Sequence, residues 1–260
     1  MPAHDVDGFT PVEIDRFRRT GYVVVRKLAP EVLRKRMLEI SKAHLTATTA
    51  PIEYEADVQY PGAPASHDAP GGRTARRLLR ACERDPVFRE WATSALLAQR
   101  LRQLLGPRVE LSQAHHNCVM TKDPRYSSLT HWHRDVRYWS FERPELVSVW
   151  LALGAEREEN GCLHVLPGSQ TLDVRPEQLD AAQFLRNDIE DNRALLATQV
   201  TVELEPGDVL FFHARLFHAA GHNRTRETKL SVVFTYHAAD NHPLAGTRSA
   251  AVPDITLGNL

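Results

Sequence analysis

Residues 130–139 read THWHRDVRYW and stand within a succession of short runs that decides the fold. VELSQAHHNCVMT (109–121) precedes them. ELVSVWLAL (145–153), CLHVLPGS (162–169), TQVTVEL (198–204), DVLFFHA (208–214) and KLSVVFTYHA (229–238) follow. Each is rich in β-branched and aromatic residues, which suit a pleated surface, and each is closed by turn-forming residues. Seven or eight such strands separated by turn residues predict a barrel or jelly roll in place of a parallel α/β sheet.

Upstream the texture is helical. Thr10-Pro11, followed by Val12-Glu13, supplies an N-cap, a proline at the first helical position and an acid in the first turn, predicting a helix over 11–19 that stops before Gly21. Tyr22 to Val25 reads as a strand, and EVLRKRMLEISKAHL after Pro30 as a second helix. Residues 46–73 carry Pro51, Pro61, Pro64, Pro70 and Gly71-Gly72, and read as an irregular loop or lid near the site. PVFREWATSALLAQRLRQLL (86–105) reads as one helix capped by Asp85 and stopped by Gly106-Pro107. The predicted architecture is mainly β with flanking α in a single domain over 1–260: a helix-rich part (1–107), a β core (108–240) and a tail (241–260) without a reading of its own.

The chain of 260 residues is long enough to bury one sizeable core. Its 32 basic and 33 acidic residues set up no field that would make nucleic acid or an anionic membrane the main partner, and a small-molecule partner stays open. Cys82, Cys118 and Cys162 are odd in number and far apart, with no CxxC pair and no disulfide framework, as suits a reducing cytoplasm. MPAHDVDGFTPVEIDRF has no basic stretch leading into an apolar one, and no run approaches the ~18 apolar residues of a membrane span, so neither secretion nor membrane insertion is expected. Oligomeric state has no signal here.

The chemistry gathers at two places. In an extended strand, side chains at i and i+2 share a face, so His133 and Asp135 can present an imidazole and a carboxylate side by side. His131 shares that face, and spacing does not choose between the two histidines. The second place is GDVLFFHARLFHAAGHN (207–223), where His213, His218 or His222 can add a third ligand. Two histidines and one carboxylate occupy one face of an octahedral ferrous ion and leave positions open for a chelating ligand and oxygen. An HxD pair alone is a weak signal, since 13 histidines supply many chance pairs.

The order of motifs is more specific. WHRD at 132–135, NGCLHVLPGSQ at 160–170, PGDVLFFHARLFHAAGHNRT at 206–225 and a basic residue at 229 resemble the phytanoyl-CoA dioxygenase family of Fe(II)/2-oxoglutarate oxygenases, over residues 10 to 240. The resemblance implies a double-stranded β-helix, a cupin-like jelly roll, with N-terminal helices packed on one side. It implies Fe(II) as cofactor, 2-oxoglutarate and O2 as co-substrates, and hydroxylation of a small molecule with release of succinate and CO2. By that match the iron ligands are His133, Asp135 and His218, with His213 and His222 as neighbours.

The family places an arginine against the distal carboxylate of 2-oxoglutarate. Here the position holds Lys229, a compact ammonium in place of a planar fork. Ser231 points the same way on that strand, and Arg224 and Arg226 are competing anchors expected in the turn before it. Cys118 and Trp150 match residues that line the keto-acid pocket, and Arg77 falls near a basic residue that reaches it. Their plainer readings are core packing for Trp150 and a small buried hydrophobe for Cys118. Related halogenases lack the carboxylate that Asp135 supplies, so its presence points to hydroxylation. Strand alternation makes Arg137 the candidate to hold an anionic group of the substrate, against the plainer reading of a surface arginine. The rival classes are a zinc or manganese hydrolase or isomerase on a cupin-like barrel, active without oxygen, and a ligand-binding member of the family without turnover.

Overall fold

The computed structural model describes residues 8–58, 60 and 62–258. Thr10 Oγ1 accepts from the Glu13 amide while the Glu13 carboxylate accepts from the Thr10 amide, a reciprocal cap that opens α1 (Pro11–Thr20). Gly21 closes it at φ 80, a left-handed conformation that favours glycine. β1 (Tyr22–Val25) and α2 (Glu31–Thr46) follow where the sequence puts them.

Two expectations need correction in the next stretch, and one strand was not expected. Residues 46–73 are not wholly irregular, because β2 (Ile52–Tyr54) and a 3-10 turn at Glu55–Asp57 lie within them. β3 (Ala75–Leu79, ARRLL) was hidden by its two arginines, whose charge masks an alternating burial pattern. After the short α3 (Ala81–Arg84), the single helix expected over 86–105 is two, α4 (Pro86–Ala92) and α5 (Ala95–Leu105). The Thr93 hydroxyl donates to the Arg89 carbonyl, and Ser94 turns extended at φ -62, ψ 148; both side-chain types compete with the helical ladder.

Then come β4 (Val109–Lys122), β5 (Thr130–His133), β6 (Leu146–Ala152), β7 (Leu163–Val165), α6 (Glu190–Leu196), β8 (Val200–Val202), β9 (Val209–His213), β10 (His218–Ala220), β11 (Lys229–Ala238) and β12 (Ile255–Thr256). The major sheet runs β1-β9-β6-β11-β4-β3-β2, with β12 also on β4; the minor sheet runs β5-β10-β7-β8. All pairings are antiparallel.

One face of the major sheet meets the minor sheet through Trp150, Leu163, Val165, Leu210, Phe212 and Val233. The other packs Val149, Phe211, Val232 and Phe234 against Phe17, Met37, Phe88, Trp91 and Leu101 of the helices. Neighbours such as Phe211 and Phe212 thus enter opposite cores, and every residue of β11 is buried. This is a double-stranded β-helix with its helices on one side. The N-terminal third gives β1, β2 and β3 to the same sheet. The tail is structured too, since β12 lies on β4 and Leu257 is buried, worth about 1.5–3 kcal/mol.

His237 of β11 ties that tail down through Asp254, Nε2 to Oδ2 3.1 Å. Burial alone would lower its pKa, but Asp254 and Glu110 outweigh it and raise the value above the ordinary one. A raised folded pKa contributes stability that is complete below about pH 6.5 and is lost as pH rises through the folded value. The Leu257 amide, bonded to the Val109 carbonyl at 3.0 Å, is therefore expected to lose hydrogen-exchange protection as pH rises from about 6.5 through the raised folded value. Asp254→Asn is expected to abolish that pH dependence; protection independent of pH in both proteins would contradict it.

Candidate metal centre and its pocket

β10 pairs with β5 so that His218 lies directly opposite His133, with ring centroids 4.3 Å apart. Arg134 stays extended at φ -115, ψ 138, and Asp135 opens a 3-10 turn, Asp135–Tyr138. Its Oδ1 then sits 3.9 Å from His133 Nε2 and 3.7 Å from His218 Nε2. One ligand atom from each residue lies within 4.8 Å of the others, and all three residues are buried. His133 Nδ1 lies 2.8 Å from the His131 carbonyl and His218 Nδ1 3.1 Å from the Leu216 carbonyl. Each Nδ1 therefore carries the proton and donates, which leaves both Nε2 lone pairs facing the carboxylate, as metal-binding imidazoles require.

Burial drives the His133 pKa well below its ordinary value, helped by His218. For Asp135 burial works upward, but His116, His218 and His133, with a hydrogen bond from Ser148 Oγ at 3.2 Å, outweigh it and hold the carboxyl below its ordinary value. A neutral His133 and an ionised Asp135 suit a divalent cation, so the donor set fits iron. Of the alternatives spacing left open, His131 contributes its carbonyl, His213 packs beside Phe17, and His222 Nδ1 lies at the Ser127 carbonyl, 3.2 Å away. Among the described residues one other cluster has ligand spacing, Glu110, His237 and Asp254, where β4, β11 and the tail meet.

The 3-10 turn also corrects the strand alternation expected beyond Asp135. Arg134 does turn away, over the Phe217 ring at 4.9 Å, but Arg137 and Tyr138 both come to the site. The Arg137 guanidinium lies 3.9 Å from the Phe184 centroid and 4.3 Å from that of Tyr138, and the Tyr138 hydroxyl is 2.7 Å from that of Tyr60.

Lys229, Ser231 and Trp150 all converge on one internal carboxylate, Glu156. Lys229 Nζ is 3.0 Å from its Oε2, while Ser231 Oγ and Trp150 Nε1 donate to Oε1 at 2.6 and 2.9 Å. All four residues are buried. Arg77 Nε is 3.2 Å from Glu53 Oε2. Cys118 is buried beside Met120, and burial pushes its thiol up to about 12, so it stays protonated. Arg224 and Arg226 lie exposed in the turn before β11.

Sequence reasoning missed three residues here. Glu156 stands in a run of acids, GAEREEN, and nothing local separates it from its solvated neighbours Glu158 and Glu159. His116 comes from a wide bulge: Phe234 faces Asn117 and Thr235 faces Ser112, so residues 113–116 leave the ladder. Its Nδ1 lies 3.7 Å from Asp135 Oδ2 without a hydrogen-bond partner, and burial lowers its pKa to about 4, keeping it neutral. Phe184 sits on the connection from β7 to β8, with its ring 6.0 Å from His133 and 5.4 Å from Tyr60. The length of that connection was the available signal. Outside the triad opens a cavity of about 470 Å³ lined by Tyr60, Arg77, His116, Arg137, Trp139 and Phe184, within the range of small-molecule sites.

Residues 17–231 match the family model for phytanoyl-CoA dioxygenase (PhyH). The chain belongs to the phytanoyl-CoA dioxygenase family. It is 24% identical over 241 residues to the peroxisomal phytanoyl-CoA dioxygenase of Homo sapiens, covering 87% of this chain and 68% of that protein. EctD from S. alaskensis superposes with a TM-score of 0.75 at 21% identity, covering 97% of this chain and 85% of its own. SnoN, an alpha ketoglutarate dependent epimerase from nogalamycin biosynthesis, superposes at 0.69 and 25% identity, covering 88% and 82%. SnoN has been crystallised with Fe3+ and alpha ketoglutarate, and EctD with Fe and with 2-oxoglutarate. Taken together with the His133, Asp135 and His218 triad, the family match makes the protein a 2-oxoglutarate-dependent non-haem iron oxygenase. The zinc enzyme and the non-catalytic barrel fall away as readings.

His133→Ala is expected to weaken anaerobic Fe(II) binding by calorimetry beyond the 10–100-fold that outer-shell changes cost; unchanged affinity would remove His133 from the site. Lys229→Met strands the buried Glu156 charge and is expected to cost about 3–5 kcal/mol in urea unfolding, most of it recovered in Lys229→Met/Glu156→Gln. Equal losses in the single and double variants would show that the pair is not coupled.

Proposed function

We propose that the protein hydroxylates a small organic anion, consuming 2-oxoglutarate and O2 and releasing succinate and CO2, within one domain formed by the whole chain. The observation that carries the anionic part of this reading is Arg137 Nη1, buried at the cavity beside the triad and without a hydrogen-bond partner. A buried guanidinium donor left open costs free energy until an acceptor arrives, and a ligand carboxylate is such an acceptor.

O2 is the oxidant; iron, when bound, would activate it while the keto acid gives up two electrons on cleavage to succinate and CO2, and the protein supplies position and dryness. His133, Asp135 and His218 would hold the metal beside the cavity. Phe184, Tyr138 and Tyr60 form the outer wall of that cavity and exclude bulk water. Arg137, fixed by its stack on Phe184 and Tyr138, orients the anionic end of the substrate. His116, neutral and unpartnered at Nδ1, offers a polar contact between the substrate and the Asp135 side of the metal. Cys118, Arg77, Trp150, Ser231 and Lys229 form the wall on the keto-acid side, the last three through Glu156.

No helix among the described residues is long and apolar enough to cross a membrane. All three cysteines are buried free thiols, which supports the cytoplasm as the compartment. Likeness to SnoN supports a second reading, epimerisation of a carbon in the same position.

Organic acids and their neutral analogues are to be screened for substrate-stimulated succinate formation, with product mass recorded. A product heavier by one oxygen atom is expected, and Arg137→Gln is expected to lose about 1.5–3 kcal/mol of substrate binding, roughly 10- to 150-fold in KM. Product of unchanged mass would select epimerisation, and equal turnover of acids and neutral analogues would remove Arg137 from recognition.

A further inference from the structure

We infer that Lys122, and not Lys229, holds the distal carboxylate of the keto acid. The inference rests on the reading that this keto acid is 2-oxoglutarate.

Lys229 already has its carboxylate. Glu156 is held by the Lys229 ammonium, the Ser231 hydroxyl and the Trp150 indole. Its backbone is fixed as well, its amide donating to the Leu204 carbonyl at 2.8 Å and its carbonyl accepting from the Leu204 amide at 3.1 Å. A ligand carboxylate brought to the same ammonium would meet a second, wholly buried carboxylate, and like charges repel strongly in a site of low dielectric. Moving Glu156 aside would strand its charge in the interior.

Lys122 is the cation left over. It faces Lys229 directly across the β4–β11 ladder and is 7% exposed. Its Nζ reaches only two carbonyls, those of Ser128 at 3.3 Å and Ala220 at 3.4 Å, so an ammonium with three donors makes two long hydrogen bonds. Among the described residues it forms no ion pair. The other three cations lining the cavity of the triad each have an acid: Arg76 with Glu55, Arg77 with Glu53, Lys229 with Glu156.

Its place suits the ligand. Ala220 lies two residues beyond the metal ligand His218 on β10, about 6.6 Å along a strand, a separation that the carbon chain of a five-carbon keto acid can span. Gly161 keeps the room open, since a Cβ there would come within 3.1 Å of Lys122 Cε and 2.7 Å of the Gly221 carbonyl. Burial first, then Arg76 and Lys229, bring the Lys122 pKa down to about 7. A bound carboxylate restores the charge that burial disfavours.

The test uses anaerobic Fe(II) protein, following the visible charge-transfer band as 2-oxoglutarate or the monocarboxylate 2-oxobutyrate is titrated in. Wild-type protein is expected to prefer 2-oxoglutarate. Lys122→Met, which removes an uncompensated buried charge and is expected to fold, should bind iron as before and weaken 2-oxoglutarate by about 10- to 100-fold, the worth of one charge-assisted contact, to the level of 2-oxobutyrate. Lys229→Met/Glu156→Gln, which keeps the interior neutral, should retain the preference. A preference that survives Lys122→Met overturns the assignment, with or without a folded double variant. Wild-type protein that binds both acids equally also overturns it and leaves a keto-acid oxygenase without a distal anchor. A band with neither acid would take down the underlying reading as well.

Discussion

Two imidazoles and a carboxylate share one buried space only because the pairing of β5 with β10 holds them there. The register sets His218 opposite His133, both Nδ1 atoms are tied to backbone carbonyls, and Asp135 follows two residues after His133, where a 3-10 turn opens. No single element could do this. A slip of one residue would send one imidazole to the other face of the sheet and dissolve the site. That register rests in turn on the two cores around the major sheet, which bury alternate residues of β6, β9 and β11 on opposite sides and so forbid sliding.

The legibility of the sequence follows from this arrangement. Strands buried on both faces must be apolar along their whole length, so VWLAL, VLFFH and KLSVVFTYHA announced themselves. β3 did not, because Arg76 and Arg77 bury their charges against Glu55 and Glu53, partners distant in sequence. The split between α4 and α5 depends on how Thr93 and Ser94 spend their hydroxyls, which periodicity does not record. At the metal, spacing left five histidines open, His131, His133, His213, His218 and His222, and the order of motifs chose among them. Glu156 was beyond reach, since burial of one acid in a run of acids is decided by the tertiary fold.

Glu156 also changes what the wall of the pocket is. Lysine, serine and tryptophan, each read as a contact for a ligand, instead close on a carboxylate that belongs to the chain. Buried networks of this kind contribute little net stability compared with apolar packing, yet removing one member leaves an unpaired charge. They fix geometry more than they add strength. Here the fixed element is the corner between β6, β11 and the turn that leads into NGCL, which stays rigid beside a metal whose other side must admit ligands.

The bulge at residues 113–116 has a consequence of a different kind. The ladder between β4 and β11 is intact on both sides of it, at Asn117 with Phe234 and at Ser112 with Thr235. The four residues between are thus an insert whose two ends are pinned while its side chains, His115 and His116, face the outer cavity. Changes of sequence or length there would reshape the room beside the metal without disturbing strand register. For a fold that serves many substrates, it is a position where a new pocket can be written into an old scaffold.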